Sequence, residues 1–212
     1  ARARVLVRYN GNPTDAELKN LKQSLIVNAE NARPVFQNYA LALICFELKQ
    51  YDEARSYLEQ LPDHLDSNLF VLDLKTDIDL QTGKASSAIA RLKPRYEREP
   101  LNQVLAVNLA NAYAESQQYQ PAQKVLDEYL KRKPEDVVAL NLLATVQQKQ
   151  GDRCGLMQTR GEIYAQSAAY AQAISSYNTA LSACDNLLTR ERIKARVAQI
   201  ATQRSFDEEL TK

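Results

Sequence analysis

Small apolar residues recur along the chain at an interval that no single helix or strand would produce. Ala54, Ala88 and Ala122 are evenly spaced, since 88 − 54 = 34 and 122 − 88 = 34. Each of these alanines lies in a stretch whose apolar residues follow the 3.6-residue period of an amphipathic helix, and another such stretch precedes it. The pattern predicts a series of helix pairs that repeats at this interval.

A 34-residue unit of two amphipathic helices is typical of the tetratricopeptide repeat, or TPR. One unit cannot bury its apolar face alone, so neighbouring units stack and share a core. The sequence therefore predicts an all-α fold, a TPR α-solenoid of about four repeats with capping helices outside the TPR pattern at both ends. We expect N-terminal capping helices over residues 1–33, TPR repeats over 34–186, and a C-terminal capping helix and tail over 187–212.

The N-terminal cap is predicted to contain two helices. Residues 2–9 are expected to form a short one, and Thr14 is expected to begin the next. Thr14 and Glu17, three residues apart, form a capping box, in which each side chain accepts a hydrogen bond from the other residue's backbone N–H. The pair of helices lacks the small residues of the repeats, which favours a role as a cap.

The second repeat fits the repeat interval less well. Its first helix places Val71, Leu74 and Ile78 one residue early. A one-residue insertion in the turn Gln81–Lys84 would restore the register, although Lys75 would then lie where a small residue belongs.

The last repeat is predicted to overlap its predecessor by half a repeat. The interval from Ala122 to Ala173 is 173 − 122 = 51, which is one full interval of 34 plus a half interval of 17. The helix from Arg153 to Ser167 is therefore expected both to pair with Val137–Gln150 and to begin the last repeat. A closing helix, Leu188–Gln203, is expected to present one apolar side made of Ile193, Val197 and Ile200.

Two of the three cysteines have a suggestive spacing. If Arg153–Ser167 and Tyr170–Ala183 form an antiparallel hairpin that turns near Ala169, Cys154 and Cys184 are equally far from the turn, since 169 − 154 = 184 − 169. They would then face each other, which is compatible with a disulfide and with an oxidising compartment. The alternative is two unrelated, half-buried thiols.

Charge and hydropathy narrow the range of partners. The 212 residues carry 27 Lys and Arg against 26 Asp and Glu, a net charge of +1, with both signs mixed along the chain. No basic stripe is available to neutralise a row of phosphates, so we expect no nucleic-acid partner. No apolar run reaches the ~18 to 20 residues of a membrane span, so none is expected. Met157 is the only methionine, which suggests a chain that was processed or cut from a longer protein.

The sequence offers no candidate for catalysis or metal binding. His64 is the only histidine and lies in the turn Pro62–Ser67, so the His-Glu-x-x-His motif of zinc peptidases is absent. A Cys–His or Ser–His nucleophile pair would need the same histidine. We therefore predict no catalytic residue, no metal ligand and no cofactor in this chain, and we do not expect it to be an enzyme.

A stacked helical repeat does, however, make a binding surface. The first helix of each repeat lines an inner wall, and side chains spaced three or four residues apart project from it. The residues predicted to form a groove for a peptide or partner protein are Phe36, Tyr39, Phe46, Leu72, Thr76, Asp79, Val107, Asn108, Asn111, Asn141 and Thr145. Asn side chains both donate and accept hydrogen bonds, so a row of them can pair with an extended backbone. Alternatively, the three aromatic residues pack against the N-terminal helices.

Three stretches carry a closer resemblance. They are LDLKTDIDLQTGKASSAIARLK (Leu72–Lys93), VNLANAY (Val107–Tyr113) and GEIYAQSAAYAQAIS (Gly161–Ser175). Together with YNGNPTDAEL near the start and YDEARSYL (Tyr51–Leu58), they resemble the C-terminal TPR region of the periplasmic beta-barrel assembly-enhancing proteases of Gram-negative bacteria. The similarity covers nearly the whole chain.

The resemblance implies a non-catalytic, periplasmic protein-interaction domain of a zinc metallopeptidase. It implies that outer-membrane beta-barrel proteins, their assembly complex and the protein's own peptidase domain are the partners, and that binding serves assembly or degradation of the barrels. Zinc is then expected only in a preceding peptidase domain. A free-standing TPR scaffold of a pilus or secretion complex is the alternative.

Overall fold

The computed structural model describes residues 13–27 and 33–210, and the regular structure within them is entirely helical, which confirms the predicted all-α fold. The helix expected over residues 2–9 lies outside these residues. The α-helices are α1 (Asp15–Val27), α2 (Pro34–Glu47), α3 (Tyr51–Glu59), α4 (Leu69–Gln81), α5 (Ala85–Arg98), α6 (Gln103–Glu115), α7 (Tyr119–Leu130), α8 (Val137–Gln150), α9 (Arg153–Gln166), α10 (Tyr170–Ala183) and α11 (Leu187–Leu210). A 3₁₀ helix, Asp63–Ser67, precedes α4. The chain divides into two compact units, Ala1–Ala88 and Ile89–Lys212, and the division falls within α5.

The first unit contains the capping helix α1 and the helices α2 to α4. The predicted capping box is confirmed: the backbone N–H of Thr14 donates to Glu17 Oε2 over 2.7 Å, and that of Glu17 donates to Thr14 Oγ1 over 3.3 Å. Helix α1 packs on α2, and Lys22 of α1 forms a 2.6 Å ion pair with Glu53 of α3. The core of this unit joins α2, α3 and α4 through small and aliphatic side chains that include Ala42, Ala54, Leu58 and Leu74.

The second repeat keeps the strict register, so the predicted insertion in the turn Gln81–Lys84 is wrong. Thr76 follows Ala42 at one full repeat interval (76 − 42 = 34), and both side chains are fully buried. Thr76 fills the place of the small residue because its hydroxyl donates to the carbonyl of Leu72 over 2.8 Å and so stays satisfied inside the core. Lys75 turns away from the core and pairs with Asp66 at 2.6 Å. Helix α4 buries residues on two faces, which is why its apolar pattern suggested a shifted register.

One left-handed residue closes the turn inside each helix pair. Positive φ angles occur at Lys49, Gly83, Gln117 and Gly151, and these positions keep the repeat interval, since 83 − 49, 117 − 83 and 151 − 117 all equal 34. The next, Ala168, follows Gly151 at half that interval, since 168 − 151 = 17. The half interval identifies the point at which the repeat pattern overlaps itself.

These turns give a stability test of the repeat. Replacing Gln117, whose φ is 60°, with Gly is expected to raise the free energy of unfolding by about 0.5–1 kcal/mol, because a side chain disfavours the left-handed region. Gly83→Ala should lower it by about 1 kcal/mol, although an added Cβ would meet no atom within 4 Å. Urea denaturation followed by circular dichroism measures both variants, and changes of the same sign would contradict the turn assignment.

The second unit contains the last repeats. Helix α9 packs against both α8 and α10, as the overlap predicts, and α11 packs on α10. Helix α11 runs to Leu210 and is longer than the predicted Leu188–Gln203, while Ile193 and Ile200 are buried on its apolar side as expected. Cys154 at the start of α9 and Cys184 at the end of α10 form a disulfide, with their Cα atoms 5.0 Å apart.

Candidate protein-binding surfaces

Three of the predicted groove residues are aromatic and lie in the first unit. The side chain of Phe36 is 66% exposed. Tyr39 is half-buried against the core of this unit, and its hydroxyl donates to the carbonyl of Phe70 over 3.2 Å. Phe46 also packs on that core, with its ring centroid 5.7 Å from that of Tyr51. Of the three, only Phe36 is therefore largely free to meet a partner.

The prediction that Leu72, Thr76 and Asp79 line an open groove is wrong, because their exposed fractions are 0%, 0% and 2%. The predicted set lies one residue out of the true register of α4. The carboxylate of Asp79 pairs instead with the guanidinium of Arg55 on α3, at 3.1 Å.

A functional candidate missed at these positions is Phe70, whose side chain is 66% exposed. It follows Phe36 at one full repeat interval (70 − 36 = 34), so the repeat period itself carried the signal. We call Phe36, Tyr39 and Phe70 the aromatic surface of the first unit. Exposed aromatic side chains such as Phe36 and Phe70 are typical of protein-binding sites.

The remaining predicted residues lie on α6 and α8 of the second unit, and these two helices contact each other. Val107, Asn108 and Asn111 on α6 are half-buried, whereas Asn141 and Thr145 on α8 are exposed. The side-chain amide of Asn141 donates to the carbonyl of Val137 over 2.8 Å, and Thr145 donates to that of Asn141 over 3.0 Å. The Oδ1 atom of Asn141 has no hydrogen-bond partner among the described residues, so it can accept one from a ligand.

Helices α8 and α9 enclose a cleft of about 290 Å³ beside these residues, which we call the polar cleft. It is lined by Asn141, Ala144, Thr145, Gln148, Leu156, Arg160, Ile163 and Tyr164. The groove was predicted on α2, α4, α6 and α8 alone, so Arg160 of α9 was not included, and the predicted set on α8 ended at Thr145, one turn before Gln148. Amide, hydroxyl and guanidinium groups beside aliphatic and aromatic carbon suit an extended peptide.

A second hollow, about 720 Å³ in volume, is lined by residues of α7, α8, α9, α10 and α11 together with Pro134. We call it the five-helix cavity. Arg196 Nη2 and Nε lie 2.7 Å and 2.9 Å from the two carboxylate oxygens of Glu162, and Tyr177 donates its hydroxyl to the same carboxylate. The ring of Tyr177 lies directly against α9, since a Cβ at Gly161 would be 2.6 Å from it.

Burial sets the ionisation of several groups in this unit. It raises the pKa of the Asp127 carboxyl, which lines the five-helix cavity, although Gln123 and Lys131 partly oppose the shift. Burial, assisted by Glu128, raises the pKa of Tyr96 to about 12. Burial and a neighbouring carboxylate also raise the pKa values of Tyr129 and Tyr177, whose partners are Asp136 and Glu162.

The described residues bring no three His, Cys, Asp or Glu side chains together in a way that could hold a metal ion. His64 is exposed in the 3₁₀ helix. No helix in the described part of the chain combines the length and the apolar character that a membrane span requires.

Sequence models of the tetratricopeptide repeat family match residues 38–61 and 79–146. The beta-barrel assembly-enhancing protease of Escherichia coli K12 is 35% identical over 201 residues, which are 94% of this chain and 41% of that protein. The Yersinia pestis protein of the same name is 36% identical over 163 residues, 76% of this chain and 34% of that protein. A putative protease of this kind from Vibrio cholerae is 31% identical over 205 residues, 96% of this chain and 42% of that protein.

The chain thus spans about two fifths of the length of these relatives at most. A solved tetratricopeptide repeat protein from Parabacteroides merdae matches with a TM-score of 0.54 and 15% identity, over 94% of this chain and 90% of that one. At that identity the match shows the fold alone, and it agrees with the predicted TPR α-solenoid.

Proposed function

We propose that this chain is the non-catalytic, partner-binding part of a beta-barrel assembly-enhancing protease. It is a tetratricopeptide repeat domain, and it is similar over 94% of its length to such proteases. The partners we infer are outer-membrane beta-barrel proteins and the complex that assembles them, in the periplasm. The protein's own peptidase domain is a further partner, and zinc belongs to that domain. Binding by this chain would hold a client for assembly or for degradation.

The observation that carries this proposal is the polar cleft of the second unit, and the aromatic surface of the first unit supports it separately. A beta-barrel protein before assembly has unpaired N–H and C=O groups along its strand edges. The exposed Asn141 and Thr145, together with Gln148, offer donors and acceptors to such a backbone. The strands of a barrel also carry apolar side chains at alternate positions, and Phe36, Phe70 and the 40% exposed Tyr164 offer surfaces for them.

The test is the double substitution Asn111→Ala with Asn141→Ala in the full-length protein. Capture of beta-barrel clients should fall about tenfold, because two side-chain amides that can bond to a client are lost. Thermal unfolding should change little, since Asn141 is exposed and Asn111 is only half-buried. Site-directed photocrosslinking from the polar cleft and co-purification of clients measure the change.

Asn178→Ala is the matched control, because Asn178 is exposed on α10 and lines none of the cavities described above. It removes the same chemical group and should leave client capture unchanged. Unaltered crosslinking in a folded Asn111→Ala, Asn141→Ala variant would refute the role of these residues.

A further inference from the structure

The five-helix cavity is a separate site from the polar cleft, since no residue lines both. Its volume of about 720 Å³ lies within the range of roughly 300–1,000 Å³ that is usual for ligand pockets. The cavity occurs where the half-repeat overlap makes α9 a partner of both α8 and α10.

The wall of the five-helix cavity is partly apolar. Leu140 and Leu143 of α8, Ile193 of α11 and the ring of Tyr177 line it, and in each case most of the side chain is buried. The exposed fractions of these four side chains are 5%, 5%, 1% and 3%, so the apolar surface that a ligand side chain can cover lies mainly on Pro134, which is exposed, and on Leu130.

The charges around the five-helix cavity do not balance. Glu162 is matched by Arg196 in a two-bonded ion pair, and Lys131 is the cation that lowers the pKa of the Asp127 carboxyl against the effect of burial. The remaining charged group of the lining is Arg192. It has no hydrogen bond and no ion pair among the described residues. A guanidinium at the edge of an apolar pocket can bind a carboxylate through two parallel hydrogen bonds.

We propose that the five-helix cavity binds an apolar side chain of a polypeptide that has a carboxylate beside it. The apolar group packs against Pro134, Leu130 and the small open parts of Leu140 and Leu143, and the carboxylate binds Arg192. The carboxylate is either the C-terminus of the bound chain or the side chain of an adjacent Asp or Glu. This site is distinct from the polar cleft, and it does not depend on the proposed function of that cleft.

Fluorescence anisotropy of three short labelled peptides tests the proposal on the chain described here. The first peptide ends in Phe with a free carboxylate, the second is its C-terminal amide, and the third is an amide in which Asp follows Phe. We expect at least one of the two acidic peptides to bind about tenfold or more tightly than the neutral amide. The one that does so identifies the source of the carboxylate. Equal binding of all three, or binding of none, would overturn the proposal.

Two arginine substitutions separate this site from the polar cleft. Arg192→Glu should abolish the preference for acidic peptides, because it places a negative charge where the carboxylate binds. Arg160→Glu changes the same charge on an exposed residue of the polar cleft and should keep the preference, whatever it does to client capture. Circular dichroism checks that both variants are folded, and Arg192→Gln replaces Arg192→Glu if the latter is not. Persistence of the preference in a folded Arg192 variant would refute the assignment.

Discussion

Removing the disulfide between Cys154 and Cys184 is expected to lower the free energy of unfolding of the second unit by about 3–4 kcal/mol. The bond joins residues 30 positions apart and links the start of α9 to the end of α10. It restricts the unfolded chain, so its loss favours unfolding through chain entropy. Urea denaturation of a Cys154→Ala, Cys184→Ala variant, followed by circular dichroism, measures the difference from the unchanged chain.

The third cysteine provides the control for this prediction. Cys45 is buried and unpaired in the first unit, so a Cys45→Ala variant should still respond to reductant. Adding reductant to the unchanged chain should reproduce most of the loss seen in the double variant. Identical urea midpoints with and without reductant would show that the bond contributes nothing to stability.

The repeat fold was predictable because its period has a mechanical cause. Two helices approach closely only where a small side chain lies between them, and that requirement places Ala54, Ala88 and Ala122 at a fixed interval. The left-handed turn residues follow the same interval independently. A departure at one position, such as Thr76 in place of a small residue, leaves the repeat interval recognisable because the other repeat positions keep it.

The binding surface was harder to predict because it depends on single-residue register. A shift of one residue rotates a helical position by about 100°, given 3.6 residues per turn. Because of a one-residue shift, the prediction named Leu72 and Thr76 of α4, which are buried. The neighbouring residues Asp73 and Asp77 are the partly exposed ones. The shift was inferred from Val71, Leu74 and Ile78, whereas Thr76 in fact replaces alanine in the core because its hydroxyl donates to a carbonyl of its own helix.

The five-helix cavity was not predictable from the sequence at all. Its lining comes from five helices and includes residues as distant as Asp127 and Arg196. The ion pair between Glu162 and Arg196 joins residues one repeat interval apart on α9 and α11 (196 − 162 = 34), but α11 has no TPR pattern from which this correspondence could be recognised. The disulfide differs in this respect, because its two cysteines belong to one hairpin whose turn fixes their relative position.

Raising the pH from about 9 to about 11 is expected to destabilise the second unit by roughly 4 kcal/mol. Tyr96, Tyr129 and Tyr177 are buried beside carboxylates, and their pKa values are raised, that of Tyr96 to about 12. In the unfolded chain a tyrosine ionises near pH 10. Between these pH values the folded tyrosines keep their protons while the unfolded ones lose them, so the unfolded state is favoured. Below about pH 10 these tyrosines are protonated in both states, so their ionisation does not lower the free energy of unfolding. That free energy falls as the pH rises from about 10 toward about 12.

Tyr96→Phe separates this effect from other alkaline titrations. The hydroxyl of Tyr96 donates to the carbonyl of Val125 over 3.3 Å, so its loss should cost a similar amount of stability at every pH. A phenylalanine cannot ionise in either state, so the variant should lose about 1.4 kcal/mol less than the parent between pH 9 and pH 11. Urea midpoints at the two pH values give this difference directly. An equal loss in both proteins would mean that Tyr96 ionises as readily in the folded chain as in the unfolded chain, and its buried position beside Glu128 would then need another explanation.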